Sequence, residues 1–326
     1  MRGPHNIFRL IRTGATFERT GAMNVILNAY QAPVGLRLAA KILGWPFQWL
    51  GYKGDPAMPP VTRALTALGP AYIKFGQILS TRPDVVGDEL AVQLRVLQDK
   101  LPPFPIEEAQ KMIEAELERP LASMFQDFSA PVAAASIAQV HRAKLASDGA
   151  DVAVKVLRPG IERAFRRDID AFYFAARMVE VLAPGARRLR PLDVIAHFEG
   201  VVLGELDLRL ESSAAGEFAA NTESDEGFQL PQINWSLSGK NVMTMDWAEG
   251  ISAGDNAALD AAGHDRRRIG ERILQLFLSH ALRDGFFHAD LHQGNIKIAA
   301  NGDVIAYDFG IMGRIDEYTR RVYAEI

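Results

Sequence analysis

The sequence of 326 residues predicts an α+β protein with a sheet-containing lobe and a helical lobe. The spacing of apolar residues from Arg268 to Asp284 predicts a helix that ends at Gly285, and two polar loops flanking a hairpin follow it. Upstream, an apolar strand with a single lysine near residue 155 indicates a sheet ahead of the helical part. Because 48% of the residues are hydrophobic, the chain can bury a sizeable core.

The two polar loops carry a recognisable set of side chains. Residues His288–Asn295 read HADLHQGN, and Asp308–Gly310 read DFG. Phosphoryl transfer needs a carboxylate that orients the attacking oxygen, and an amide oxygen and a second carboxylate that hold Mg²⁺ on the phosphates. Asp290, Asn295 and Asp308 supply this set in the order and spacing of the kinase catalytic and metal loops. The alternative is a solvated polar loop followed by an ordinary turn.

The segment between these loops predicts a hairpin. Residues 295–299 and 304–307 are short runs with β-branched residues, and Asn301–Asp303 separates them. Asn-Gly tolerates positive φ at both central turn positions, which predicts a tight turn. Such a hairpin would bring Asn295 and Asp308 to one end of the sheet, where a single metal ion could bind both.

Upstream, an alanine-rich segment precedes the strand that carries Lys155. A lysine within an apolar strand is unfavourable unless an anion meets it, and the kinase lysine that reaches nucleotide phosphates has this form. The alternative is an edge strand whose lysine extends its ammonium group into water. The loop before the strand has alanines and a serine where a kinase has phosphate-covering glycines, so it is predicted to be stiffer and more crowded. Its residues are Ala133, Ala134, Ala135 and Ser136.

A second buried strand is predicted at residues 241–245, and it leads into residues 246–250. In a kinase architecture this is the hinge between the lobes, whose main-chain groups would bind adenine. Met245 and Trp247 are therefore predicted nucleotide-binding residues. The alternative is any strand followed by a turn.

Charge is distributed unevenly along the chain. Residues 1–60 contain seven basic and two acidic side chains, whereas the whole chain has a net charge of −4. This basic segment also carries Trp45, Phe47, Trp49 and Tyr52, so it could lie on an anionic membrane surface. The alternative is a helical extension packed on the body with its charges in water. The chain has no cysteine, and no signal peptide or transmembrane helix is predicted.

Two further motifs indicate a family. Lys74-Phe-Gly-Gln77 and Glu205-Leu-Asp207 with the nearby Glu211 occur together with the alanine-rich segment and both polar loops. This set closely resembles the UbiB family of atypical protein-kinase-like proteins, which are required for ubiquinone biosynthesis. The resemblance implies a protein-kinase-like bilobal fold with a five-stranded N-lobe sheet, a helical C-lobe and a family-specific N-terminal helical extension. The predicted segments are 1–58 (basic, helical), 59–120 (helical, with the Lys-x-Gly-Gln motif), 121–245 (N-lobe with a helical insertion) and 246–326 (C-lobe).

The resemblance also implies roles for these side chains. Lys74 and Gln77 would lie on a helix across the active site, where Lys74 would act in catalysis and compensate the charge of Glu205 and Asp207. Glu211 would pair with Lys155, and its spacing from Asp207 would let one helical face present both. His288 would support the catalytic loop.

The family is regarded as binding ATP or ADP with Mg²⁺, with kinase-like or ATPase activity. The expected partners are an anionic membrane surface, isoprenoid lipids and other ubiquinone-biosynthesis proteins, with no nucleic acid. The expected location is cytoplasmic, peripheral to a bacterial inner membrane. The alternatives are a nucleotide-sensing pseudokinase scaffold and a small-molecule kinase, and the Lys-x-Gly-Gln motif argues against the latter. Only sixteen residues follow Gly310, so a chain shorter than its relatives is expected.

Overall fold

Helices dominate the N-terminal part of the computed structural model, which describes residues 5–29, 34–95, 97, 102–182 and 184–325. Within these ranges the α-helices are α1 (His5–Thr20), α2 (Ala22–Ala29), α3 (Val34–Gly44), α4 (Pro60–Leu68), α5 (Pro70–Ser80), α6 (Pro83–Val86), α7 (Asp88–Leu94), α8 (Ile106–Leu117), α9 (Ile161–Leu182), α10 (Pro191–Glu205), α11 (Leu208–Thr222), α12 (Asn256–Ala261), α13 (Arg266–Ser279) and α14 (Glu317–Glu325). The strands are β1 (Phe125–Gln126), β2 (Pro131–Ala134), β3 (Ala138–Leu145), β4 (Asp151–Leu157), β5 (Phe228–Gln229), β6 (Val242–Asp246), β7 (Ile251–Ser252), β8 (Phe286–His288), β9 (Ile296–Ile298), β10 (Val304–Ala306) and β11 (Met312–Arg314).

The chain divides into two units, each assembled from three separate segments. The first unit comprises Met1–Pro103, Ala134–Ala138 and Gly160–Gly204. The second unit comprises Phe104–Ala133, Gln139–Pro159 and Glu205–Ile326. Because both units are discontinuous in sequence, they do not test the four predicted segments, which remain predictions.

An aromatic cluster holds the helices of the first unit together. Phe75 of α5 packs on Phe172 of α9 and on Phe198 of α10, with ring centroids 5.2 Å apart in both pairs. Gly76 follows Phe75 in the Lys-x-Gly-Gln motif, and a Cβ there would lie 2.4 Å from Leu97 Cδ1 and 2.7 Å from Leu65 Cδ1. A larger residue here would therefore displace the leucine methyl groups that pack against α5.

The basic N-terminal segment is helical, as predicted, and part of it packs against other helices of the first unit. Arg9 of α1 forms an ion pair with Asp168 of α9. Phe47, Trp49 and Tyr52 are exposed, whereas the Trp45 side chain lies outside the described part of the structure. No helix among the described residues is both long enough and apolar enough to span a bilayer.

The second unit contains the sheets. A five-stranded sheet has the order β1-β3-β4-β6, with β2 also pairing β3. A four-stranded sheet has the order β5-β10-β9-β7, and β11 pairs β8 in a separate ribbon. The predicted α+β fold, with its five-stranded sheet and N-terminal helical extension, is confirmed.

The predicted hairpin between the polar loops is β9 and β10, and its turn differs from the prediction. Ile296 pairs with Ala306 and Ile298 with Val304 in antiparallel register. In the turn Ala299–Asp303, only Gly302 has a positive φ, +90°, and its amide donates to the Ala299 carbonyl over 2.8 Å. The prediction of positive φ at both Asn301 and Gly302 is therefore wrong, because a longer turn leaves only the glycine in that conformation.

The predicted helix before the catalytic loop is α13, whose last turn widens. His280–Asp284 forms a π-helical turn after Ser279, and Gly285 ends it with φ +68°. His280 Nε2 and Asp225 Oδ2 lie 2.9 Å apart beneath this turn. Arg283 also bonds Asp225, over 2.6 Å, so a buried polar contact fixes the helix end.

Candidate nucleotide and metal site

Lys155 lies in the interior of the five-stranded sheet and meets an anion. β4 pairs with β3 on one side and β6 on the other, so the alternative of an edge strand is wrong. Lys155 Nζ donates to Glu211 Oε1 over 2.6 Å and to Oε2 over 2.9 Å. The two side chains are 16% and 9% exposed, so the ion pair is largely removed from water. The first turn of α11 supplies Glu211, which the structure brings to Lys155 from 56 residues away.

Several carboxylates lie near the ammonium group of Lys155. Asp308 Oδ2 lies 3.9 Å from Lys155 Nζ. Burial disfavours the charged lysine, but Asp308, Glu211 and Glu205 outweigh it and raise the pKa of Lys155. Burial raises the pKa of Glu211, Lys155 opposes this, and Asp308 adds to it by repulsion. One lysine among several acids leaves excess negative charge, which a divalent cation would neutralise.

The hairpin brings the two predicted metal ligands to one end of the sheet. Ala306 pairs with Ile296, and the Tyr307 amide donates to the Asn295 carbonyl over 3.3 Å. Asn295 precedes β9 and Asp308 follows β10, so both leave the hairpin at the same end. Asn295 Nδ2 donates to the main-chain oxygen of Asp290 over 3.1 Å and to its Oδ2 over 3.3 Å. The amide oxygen of Asn295 is therefore the atom that would serve a cation.

His288 contacts the predicted catalytic loop. This residue is 2% exposed, and its Nδ1 accepts from the Asp290 amide over 3.2 Å. Burial lowers the pKa of His288, although Asp308 and Asp290 oppose the shift. A neutral ring whose Nδ1 accepts must carry its proton on Nε2. Phe309 is also buried, and its ring centroid lies 6.2 Å from that of His288. The two loops are therefore packed against each other through these buried rings.

Asp207 lies at the N-terminus of α11, and its predicted charge compensation by Lys74 remains a prediction. It is the N-cap of α11, where its carboxylate accepts from the Arg209 amide over 3.2 Å. It also forms an ion pair with the Arg209 guanidinium over 2.6 Å, and these hydrogen bonds lower the pKa of Asp207. The prediction that one helical face presents Asp207 and Glu211 is wrong because Asp207 precedes the helix. Glu205, at the end of α10, contributes instead to the field at Lys155.

The main chain of the predicted hinge is already hydrogen-bonded at two of the expected positions. The Trp247 amide donates to the Asp151 carbonyl over 3.0 Å, and Met245 forms a bridge with Ile233 as well as pairing with Ala153. The Trp247 amide is therefore not available to adenine, which corrects that part of the prediction. Any base recognition by this segment must use other groups.

One residue near the hinge was missed by the sequence analysis. Lys297 Nζ donates to the Ala248 carbonyl over 2.7 Å and lies 5.0 Å from the Trp247 ring centroid. The signal was present: Lys297 stands between two isoleucines in a short strand, two positions after Asn295. A lysine in such a strand needs a partner, as Lys155 does.

The remaining predicted residues belong to the first unit or to its boundary. Lys74 and Gln77 lie on α5, and Gln77 Nε2 donates to the Leu97 carbonyl over 3.4 Å. The alanine-rich segment forms the end of β2 and the loop to β3, where the Ala135 amide donates to the Ala138 carbonyl over 2.8 Å. Ala133 belongs to the second unit, while Ala134, Ala135 and Ser136 belong to the first. Their roles at the nucleotide site remain predictions.

Comparisons of the chain with family models and with known proteins agree on one family. A model of the ABC1 atypical kinase-like domain matches residues 96–326. The chain is 39% identical over 329 residues to a Shewanella baltica (strain OS185) protein named "Probable protein kinase UbiB", covering 99% of this chain and 58% of that protein. It is 42% identical over 257 residues to a protein of the same name from Marinobacter nauticus, covering 77% of this chain and 47% of that protein.

A solved structure is also similar. The complex structure of Rv3197 and erythromycin from Mycobacterium tuberculosis matches with a TM-score of 0.55 and 31% identity, over 73% of this chain and 60% of that one. The chain spans only 58% of the length of the first of these curated relatives. Fold, motifs and sequence similarity agree, and the chain belongs to the UbiB family of ABC1 atypical kinase-like proteins.

Proposed function

We propose that this protein is an atypical kinase or ATPase that binds an adenine nucleotide with Mg²⁺ and supports ubiquinone biosynthesis. The supporting observation is the Lys155–Glu211 ion pair, with Asp308 3.9 Å from the same ammonium group. A strand-borne lysine fixed by a helix glutamate beside a metal-loop aspartate is the arrangement with which kinases bind nucleotide phosphates.

Each residue has a distinct role in this proposal. Lys155 binds the α- and β-phosphates, and Glu211 holds its ammonium group in position. Asn295 and Asp308 would hold Mg²⁺, whose two positive charges would offset the negative charges of the phosphates. Asp290 orients the acceptor, a hydroxyl group or water, and its own loop is held by the hydrogen bond from its amide to His288 Nδ1.

The acceptor and partners are proposed from the family resemblance. An isoprenoid-pathway lipid, or the enzymes that make ubiquinone, would be the target. Lys74 and Gln77 would exclude ordinary protein substrates. Exposed Phe47, Trp49 and Tyr52, in a segment rich in basic side chains, would bind an anionic inner-membrane surface from the cytoplasmic side.

Metal-dependent nucleotide binding tests the core of the proposal. The affinity of the purified chain for ATP and ADP would be measured by titration calorimetry with and without Mg²⁺. Asp308→Asn is expected to lose the increase in affinity that Mg²⁺ gives, because a neutral amide is a poor ligand for a hard divalent cation. Asp303→Asn is the matched control, since Asp303 lies at the opposite end of the hairpin and bonds Gln229 and Asn301. Unchanged Mg²⁺ dependence in Asp308→Asn would exclude the metal role.

A measurement of nucleotide hydrolysis distinguishes an enzyme from a pseudokinase scaffold. Phosphate release would be measured with and without anionic liposomes, for the native chain and for Asp290→Asn. Release that liposomes stimulate and that Asp290→Asn loses supports the enzyme. Tight nucleotide binding with no release under any of these conditions supports the pseudokinase scaffold.

A further inference from the structure

Lys297 occupies an unusual position on the strand that begins after Asn295. Its neighbours Ile296 and Ile298 are buried, whereas Lys297 points to the other face of β9, as alternation along a strand requires. Its Nζ donates to the Ala248 carbonyl over 2.7 Å. The same ammonium group lies 5.0 Å from the ring centroid of Trp247 and 5.7 Å from that of Tyr307. These contacts hold a cation at one defined point.

That point lies between the proposed metal site and the hinge. Lys297 stands two residues after Asn295, and its ammonium group lies against the ring of Trp247 in the predicted hinge and against that of Tyr307, which precedes Asp308. Ala248 lies between β6, which pairs with the strand of Lys155, and β7, which pairs with β9. A nucleotide with its phosphates at Lys155 and Asn295 that reaches the predicted hinge would therefore have its base near Ala248 and Lys297.

The chemistry of this point does not suit the amino group of adenine. A hinge carbonyl binds adenine by accepting from its 6-amino group, but a group that approaches the Ala248 carbonyl also meets the Lys297 ammonium group, which donates to the same oxygen. An ammonium group has three N–H donors and no acceptor, so donors remain after this bond is made. A purine with an oxygen at position 6 can accept one of them, whereas a purine with an amino group cannot.

Lys297 is held at this point rather than extending into bulk water. Burial lowers the pKa of Lys297, although the nearby Glu249 opposes the shift. Arg142 also contacts Trp247, with its guanidinium carbon 4.8 Å from the ring centroid. Arg142 is in turn bonded to Asp151 over 3.1 Å, which helps to hold the tryptophan ring in place.

We propose that Lys297 determines the nucleobase preference of this site by placing N–H donors where adenine presents its 6-amino group. The chain then binds adenine nucleotides with little discrimination against 6-oxopurine nucleotides. The proposal rests on the proposed function, because it takes the phosphates to lie at Lys155 and Asn295.

The test compares two nucleotides that differ at position 6 alone. Dissociation constants for ATP and inosine triphosphate would be measured with Mg²⁺ for the native chain and for Lys297→Met, Lys297→Arg and Lys144→Met. The native chain is expected to bind both within about threefold. Lys297→Met is expected to shift the ratio about tenfold toward ATP, as loss of a charge-assisted hydrogen bond predicts. Lys297→Arg keeps N–H donors and should keep the native ratio.

Lys144→Met controls for the loss of a lysine, because Lys144 is exposed on β3 and lies 3.7 Å from Asp127. A purely structural role of Lys297 would weaken both nucleotides equally and leave the ratio unchanged in Lys297→Met, which would overturn the proposal. A native chain that binds inosine triphosphate much more weakly than ATP would overturn it too. Binding of neither nucleotide by the native chain would instead refute the proposed function on which it rests.

Discussion

Removing Lys155 should destabilise the second unit chiefly by leaving Glu211 without a cation. The Glu211 side chain is 9% exposed and accepts two hydrogen bonds from Lys155 Nζ, of 2.6 and 2.9 Å. Breaking a buried ion pair by removing one partner typically costs about 3–5 kcal/mol. Because Lys155 is 16% exposed and Asp308 is 44% exposed, some water reaches this site. We therefore expect Lys155→Met to lower the free energy of unfolding by about 3 kcal/mol at neutral pH.

The loss should depend on pH. The folded-state pKa of Glu211 is already raised by burial, and Lys155 opposes that shift. Without Lys155 the pKa rises further, so the folded state binds a proton more tightly than the unfolded state does. A raised folded-state pKa gives stability that is present below the unfolded value, about 4.3, and lost as the pH rises through the folded value. The destabilisation should therefore be largest at high pH and shrink as the pH falls toward the unfolded value.

Urea unfolding followed by tryptophan fluorescence measures the effect. Trp235 and Trp247 belong to the second unit, so replacing Trp45 and Trp49 with phenylalanine confines the signal to that unit. The double variant Lys155→Met/Glu211→Met should recover most of the stability, because apolar replacement of a buried pair is often neutral. If the double variant is as unstable as Lys155→Met, or if the loss is constant with pH, the unpaired carboxylate is not the cause.

Two further predictions concern local structure. Asp207→Ala should lower the free energy of unfolding by about 1 kcal/mol through loss of the α11 N-cap, whereas Asp207→Asn should keep part of the cap. The pKa of Asp207 is lowered in the folded state, so its contribution to the free energy of unfolding is present above its unfolded-state pKa. That contribution should be lost as the pH falls through the folded-state pKa, which urea unfolding at several pH values would show. Gly302→Ala should cost about 1–2 kcal/mol in the same assay, since φ is +90° and no atom lies near the new Cβ. Gly302→Asn should cost less, because asparagine tolerates this conformation; equal losses would show that φ is not the cause.

Local patterns predicted the elements around the site more reliably than the partners of its side chains. The helix, loops and hairpin from residue 266 to residue 310 follow from periodicity and turn residues, which act over a few positions. The Lys155–Glu211 contact joins residues 56 positions apart, and the residues alone did not fix it: the family resemblance supplied that pairing. Spacing placed Asp207 on the helix face, but the preference of aspartate for N-caps would have placed it correctly.

The occupied hinge could not have been predicted, because main-chain hydrogen bonds depend on strand pairing and loop geometry. The Trp247 amide bonds Asp151, which is 96 residues earlier in the sequence. Lys297 was missed for a different reason. Its strand was predicted, and the same argument that gives Lys155 a partner applies to Lys297, since both lysines stand between apolar neighbours.

The order in which the two units recur along the chain has a consequence for synthesis on the ribosome. The chain passes between the units five times, at residues 103, 133, 138, 159 and 204, so no single cut yields either unit whole. The strand of Lys155 must wait for its neighbour β6, which ends 89 residues after Leu157. At 5–20 residues per second this delay is roughly 5–20 s, during which one edge of a central, apolar strand has no partner. Nascent-chain chaperones should therefore bind the strand of Lys155 until β6 has been synthesised.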